Sequence, residues 1–206
     1  MLISTRKDRK KGCNFGIMKI NNKALIFSAP SGSGKSTVVN HLMEMFPQLD
    51  FSITATTREP RGNEENGREY YFISTEEFKD LIARDAFVEW EEVYHGRYYG
   101  TLKIELERIW NGHHVAVFDV DVKGGINLKK KFGKQALSVF IAPPSLEVLE
   151  ERLRRRGTDT PQAIAERVAK AGIEMQDAPH FDVVLVNDKL EETLERATEL
   201  VASFIL

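Results

Sequence analysis

The chain has 206 residues, 42% of them hydrophobic and 29% charged, enough apolar material for a sizeable core, which excludes disorder as a description of the whole. Lys and Arg total 29 against 31 Asp and Glu, a formal charge of −2, so no broad basic field awaits a nucleic acid and any phosphate binding must come from local groupings. The single cysteine, Cys13, excludes an internal disulfide and a multi-cysteine zinc site, and no apolar run approaches the roughly 20 residues of a membrane-spanning helix; a cytoplasmic protein with no membrane partner is expected.

Residues 1–23 carry Arg6, Lys7, Arg9, Lys10, Lys11, Lys19 and Lys23 against Asp8 alone, with no apolar period, and read as a flexible basic extension. Met18 stands just before the first strand-like run, so a second translation start there is one account of residues 1–17, and an anchoring or targeting arm is the other. From Ala24 the pattern is regular. Ala24 to Ala29 is a buried-strand run, a glycine-rich turn follows, and Val38, Leu42 and Phe46 then recur at helical spacing. Residues 51–103 differ in texture, rich in Thr, Arg, Tyr and Glu and punctuated by Pro60, Gly62 and Gly67, and read as an inserted lobe. Within it Tyr70 to Ile73 predicts a strand, and Ser74 with Glu77 predicts a capped helix carrying Phe78, Leu81 and Ile82.

Beyond the insert, Val115 to Phe118, Leu137 to Ala142 and Val183 to Val186 predict buried strands. Leu146, Leu149 and Leu153 mark one helical stripe, and Leu190, Leu194, Ala197, Val201 and Phe204 mark the closing helix. Alternating strands and helices predict an α/β fold with a parallel sheet flanked by helices. The expected division is one domain, 24–206, with its core in 24–50 and 104–206, the insert at 51–103 and a short helical lid near 150–172.

The sharpest chemical signal is Ala29-Pro30-Ser31-Gly32-Ser33-Gly34-Lys35-Ser36-Thr37, a phosphate loop between a predicted strand and a predicted helix. Its glycines let backbone N–H groups and the helix N-terminus converge on an anion, Lys35 brings a point charge to the outer phosphates, and Ser36 can ligate Mg2+. Ala29 stands where the motif begins with glycine, which is harmless if that backbone keeps ordinary dihedrals. In the insert, Arg58 and Arg61 lie three apart on a proline-restricted segment, suited to clamping a phosphate monoester, and Tyr70 and Tyr99 can donate hydroxyls to the same group. Each of these also fits an ordinary charged turn or packed tyrosine.

Taken together, the phosphate loop, T-T-R-E-P-R, N-G-R-E-Y-Y-F, E-F, F-V-E-W, Y-Y-G-T and F-D-V-D-V-K-G resemble the guanylate kinase family, in order and from about Ala24 to the C-terminus. The resemblance implies a P-loop NTPase core with an inserted GMP-binding lobe and a helical lid, ATP and GMP as partners, Mg2+ as cofactor, and conversion of GMP to GDP at the expense of ATP. By the same resemblance Arg58, Arg61, Tyr70 and Tyr99 hold the GMP phosphate, and Thr54, Glu89 and Thr101 approach guanine. Thr54 stands where the family often has serine. Asp119 is assigned to the metal side through water and Asp121 to the base side, though the pair also suits capping of the next helix, and Gly124 permits close backbone approach. Arg152, Arg156 and Arg167 correspond to lid residues that close on the transferring phosphoryl group, with Arg154 and Arg155 facing solvent. Asn187 lies near the adenine of ATP or caps a helix.

Base choice has its own logic. Guanine presents an N1–H and an amine that one carboxylate, Glu89, can accept together, whereas adenine does not, and a Thr54 hydroxyl can serve O6. Two other readings stay open from the same motifs. One is a kinase for a sugar phosphate such as ribose 1,5-bisphosphate, which the intact Arg58, Arg61, Tyr70, Glu89 and Tyr99 set disfavours. The other is a non-catalytic binding module, which the intact Lys35, Ser36 and lid arginines disfavour. His95, His113 and His114 have no metal-ligand spacing, and a homo-oligomer is left open.

Overall fold

The computed structural model describes residues 22–157 and 159–206; the expectations for residues 1–17 and most of the basic extension lie outside them. Lys23, assigned to that extension, belongs to the fold. Its ammonium donates to Phe204 O (2.7 Å), and its carbonyl accepts from Trp110 Nε1 (3.2 Å).

In chain order the elements are β1 (Ala24–Ser28), α1 (Lys35–Met45), β2 (Leu49–Phe51), β3 (Thr54–Thr56), β4 (Tyr70–Phe72), α2 (Thr75–Ala83), β5 (Phe87–Tyr94), β6 (Arg97–Leu102), α3 (Lys103–Asn111), β7 (Val115–Asp119), α4 (Val122–Phe132), β8 (Ala136–Ala142), α5 (Leu146–Arg156), α6 (Pro161–Glu174), β9 (Val183–Val186) and α7 (Leu190–Ile205). The main sheet runs β2-β7-β1-β8-β9 and is parallel throughout. Every residue of β1 is buried because the strand is central and covered on both faces. Leu25, Phe27, Val38, Leu42, Val201 and their neighbours form the core on the α1 and α7 face, and Ile26, Phe118, Leu106, Ile109 and Leu128 form the core under α3 and α4. At Gly125 α4 runs so close to β1 that an added Cβ would meet Ser28 Oγ at 2.3 Å.

Three expectations are corrected here. Val183 to Val186 forms an edge strand rather than a buried one: among the described residues no strand pairs beyond β9, and while Leu185 is buried, Val184 and Val186 are 41% and 52% exposed. In α7 Leu194, Ala197, Val201 and Phe204 pack on the core as expected, joined by buried Thr193 and Ile205, but Leu190, at the first turn, is 42% exposed. Phe51, placed in the insert, ends β2 and pairs with Val117 in the main sheet.

The insert is a mixed sheet, β4-β3-β6-β5, with α2 packed on one face through Phe78, which stacks on Phe87 (centroids 4.4 Å apart). Ser74 caps α2 as expected, its hydroxyl accepting the Glu77 N–H (3.0 Å). Where the chain crosses from core to insert, the buried carboxylate of Glu105 on α3 gathers four donors. The Ile53 N–H and Arg108 Nη2 donate to Oε1 (3.0 and 2.9 Å), and the Tyr71 hydroxyl and Arg108 Nε donate to Oε2 (both 3.1 Å). Arg108 also reaches Asp50 Oδ2 (2.7 Å) and Phe51 O (3.1 Å), so one ionic knot ties both strands of the crossing to α3. Among the described residues no helix is long and apolar enough to cross a membrane.

Candidate active site

The phosphate loop spans the six residues between β1 and α1, at the C-terminal end of the central strand. Ala29 keeps a negative φ, since the positive-φ non-glycine residues described are Asn22, Asp85 and His113, so the departure from the glycine motif carries no strain. Gly34 takes φ +92°, and α1 begins there with no side chain capping it and no acidic residue in its first turn. The first-turn N–H groups are thereby left to an anion, with the helix dipole adding to the attraction. The Lys35 ammonium donates to Val120 O (2.9 Å) and pairs with Asp119, which ends β7.

The capping expectation for Asn187 is corrected, since the N-cap of α7 is Lys189, and Asn187 is not among the residues that line the cleft. It is buried beneath the loop, where its Nδ2 donates to Ser33 O (2.8 Å) and would lie 2.3 Å from a Cβ at position 34. Gly34 is therefore fixed by close approach as well as by its dihedral.

A cleft of about 750 Å³ opens above this loop. The loop supplies Ala29, Pro30, Ser31, Gly32, Gly34, Lys35, Ser36 and Thr37; the end of β7 and start of α4 supply Asp119, Val120, Asp121 and Gly124. The insert sheet contributes Thr54, Tyr70, Glu89, Glu91, Val93 and Tyr99, and α5 with α6 contributes Arg152, Leu153, Arg156, Arg167, Lys170 and Glu174. Most of the sequence-predicted residues thus meet in one place although they are scattered from position 29 to 167.

Others stand behind the wall. The buried Ser33 hydroxyl has no hydrogen-bond partner among the described residues. Thr101 is fully buried and donates its hydroxyl to Glu89 Oε1 (3.0 Å), holding the carboxylate rather than facing the cleft. The Arg58 guanidinium lies under Tyr70, its Cζ 4.6 Å from the ring centroid, and is bound by Glu64, while Arg61 is exposed. Asp121 does cap the following helix, its Oδ1 accepting the Gly124 N–H (2.8 Å), and it still reaches the cleft.

Glu91, Val93, Val120, Lys170 and Glu174 also line the cleft and were not anticipated. Two signals were available: Glu91 and Val93 follow Glu89 at strand period on β5, and Lys170 and Glu174 follow Arg167 at helical period on α6.

Electrostatically the walls differ. Burial pushes the Glu89 carboxyl up to about 7; the Thr101 hydroxyl opposes this, and Asp121 and Glu91 reinforce it. Glu91 and Glu174 are raised as well, first by burial. Across the cleft stand Lys35 and the cations of α5 and α6. Arg167 Nη1 donates to Ser31 Oγ (2.8 Å) and Nη2 pairs with Asp159 (3.0 Å), so α6 rests on the phosphate loop. Arg152 Nη2 donates to Asp188 O (3.3 Å), whereas Arg154 and Arg155 point outward to Glu150 and Glu151.

Ser36 and Asp119 offer hard oxygen donors beside the loop, and among the described residues no cluster of three His, Cys, Asp or Glu forms a self-sufficient metal cage. That donor set fits Mg2+, which takes few protein ligands and fills its octahedron from phosphates and water. One wall suits a polyphosphate; the opposite wall suits a group rich in N–H donors.

A phosphate loop at the end of a parallel sheet, with two cation-bearing helices and an inserted sheet lining the same cleft, defines a P-loop phosphotransferase. The family model for guanylate kinase matches residues 21–204. The chain is 50% identical over 191 residues to the guanylate kinase of Bacteroides thetaiotaomicron, covering 93% of this chain and 94% of that one, and 51% identical over 183 residues to that of Bacteroides fragilis, covering 89% and 90%. The crystal structure of guanylate kinase from Anaplasma phagocytophilum superposes with a TM-score of 0.69 at 30% identity, over 88% of this chain and 85% of that one. The chain belongs to the guanylate kinase family.

Proposed function

We infer that the protein transfers the terminal phosphoryl group of ATP to GMP, giving ADP and GDP, and we propose roles for its residues in that reaction. The observation that carries the reading is the pairing, across one cleft, of a phosphate loop bearing Lys35 with a wall bearing Glu89 and Thr54. The loop N–H groups and Lys35 hold the β and γ phosphates of ATP. Glu89, steadied by Thr101, accepts the N1–H and amine of guanine, Thr54 donates to O6, and Asp121 approaches the base side. Tyr70, Tyr99, Arg58 and Arg61 hold the GMP phosphate in line with the γ phosphorus.

The attacking oxygen is already anionic, so no strong general base is needed, and catalysis is positioning plus neutralisation of charge spread over three equatorial oxygens. Arg152, Arg156 and Arg167 bring that neutralisation from the lid, and closure of lid and insert excludes water. Mg2+, bound with ATP through the Ser36 hydroxyl and through water by Asp119, would neutralise the bridging phosphates. The protein is proposed to act in the cytoplasm.

A sugar-phosphate substrate presents no base edge to Glu89 and Thr54, and a binding module has no use for Lys35 at the loop; both readings are weaker for that reason. The test is Lys35→Ala. Loss of turnover by about 10³-fold or more with unchanged thermal stability is expected, because a preorganised cation at the transferring group is removed. Turnover within tenfold of the unaltered protein would overturn the role of the loop.

A further inference from the structure

Glu64 is absent from the cleft wall and from the reading of the motifs, yet it makes the densest polar contact in the insert. Arg58 is 9% exposed, and its guanidinium is gripped at one end: Nη1 donates to Glu64 Oε2 (2.6 Å) and Nη2 donates to Glu64 Oε1 (2.8 Å). The other Nη1 proton goes to Glu59 O (2.9 Å). Glu64 Oε2 also accepts the backbone N–H of Arg61 (2.8 Å), and the Glu64 N–H returns to Arg61 O (3.1 Å).

A guanidinium has five N–H donors in a rigid plane. Three are used in these contacts. The two that remain, Nε–H and the second Nη2 proton, lie side by side on one edge; among the described residues no carboxylate or carbonyl takes them, and the Tyr70 hydroxyl, itself assigned to the GMP phosphate, lies near enough to Arg58 to interact. That edge is itself a fork able to bind a phosphate bidentately. The rings of Tyr70 and Phe72, with centroids 4.6 and 5.6 Å from Cζ, make cation–π contacts with the guanidinium.

We propose that Glu64 is a positioning residue for GMP: its carboxylate locks one edge of Arg58 and the Arg61 backbone in a single grip, so that the free Nε/Nη2 edge of Arg58 is presented to the GMP phosphate. The proposal rests on the reading that Arg58 binds that phosphate. Glu64 keeps its charge throughout the working range, since the guanidinium and the Arg61 N–H hold its carboxyl down at about 2. An alternative geometry, in which the carboxylate occupies the place of the phosphate and must be displaced, has the opposite sign.

The experiment measures initial rates with GMP and ATP for Glu64→Gln, Glu64→Asp, Arg58→Lys and the Arg58→Lys, Glu64→Gln pair. Glu64→Gln keeps the size but turns one acceptor into a donor facing the guanidinium, so KM for GMP is expected to rise about 10- to 100-fold, with kcat and KM for ATP within about threefold. Glu64→Asp is expected to recover part of the loss. In the Arg58→Lys background, which has no fork to orient, Glu64→Gln is expected to add little. An unchanged or lowered KM for GMP in Glu64→Gln would overturn the proposal, as would an undiminished effect in the Arg58→Lys background. Arg58→Lys with an unaltered KM for GMP would instead overturn the phosphate role of Arg58, and the KM for ATP reports folding in every variant.

Discussion

Glu89 occupies surroundings that favour its neutral form, yet the proposed contact to guanine needs an acceptor-only carboxylate. With its pKa near 7, raised by burial and by Asp121 and Glu91, the ligand-free protein holds a proton there below neutrality, and GMP must displace it. KM for GMP is therefore expected to fall by about 16-fold in total from pH 5.5 to 7 and to level off above 8, while KM for ATP stays flat. Folding runs the other way. A carboxyl raised from 4.5 to about 7 on folding contributes stability that is present below pH 4.5 and lost as pH rises through 7, so ligand-free Glu89→Gln is expected to gain on the unaltered protein in Tm at pH 8 relative to pH 5. A pH-independent KM for GMP would contradict the guanine role. The phosphate loop was legible at this scale because its residues are contiguous and each has a local job. Glu64 was not, because its partner Arg58 is six residues away on an irregular segment with no period to bring them together.

Helices and strands report the same contrast. The core was legible because β1, β7 and β8 are buried on both faces and read as apolar runs, and α5 carries its buried stripe at Leu149 and Leu153. β5 was obscured for a physical reason: one of its faces meets a ligand cleft rather than a core, so Glu89 and Glu91 stand where a packed strand would show apolar residues. β9 misled in the opposite direction, since its Val-rich sequence reads as a central strand while its place is the edge. The knot at Glu105 joins residues up to 58 positions apart, a separation no local pattern reveals. Glu105→Ala strands the Ile53 N–H and the Tyr71 hydroxyl and deprives Arg108 of a partner. A loss of about 2–4 kcal/mol in urea unfolding is expected, below the largest values for buried pairs because Arg108 is half exposed and retains Asp50. A loss under about 0.5 kcal/mol, the size of an ordinary surface substitution, would show that the knot is not structural.

At the scale of the molecule, three bodies meet at one cleft: the parallel core brings the phosphate loop and Asp119, the insert brings the wall bearing Thr54 and Glu89, and α5 with α6 bring the cations. The cleft lies where the fold favours ligands, at the C-terminal ends of parallel strands, and the proposal gives the choice of nucleotide to the insert. The most direct measurement is ADP release from MgATP by the purified protein with GMP, AMP, CMP, UMP or ribose 1,5-bisphosphate in parallel. Turnover with GMP that exceeds every other acceptor by at least about 10³-fold is expected, because the wrong base leaves buried hydrogen-bonding groups unpaired. Equal turnover with AMP, turnover only with the sugar phosphate, or none with GMP from folded protein would contradict the account.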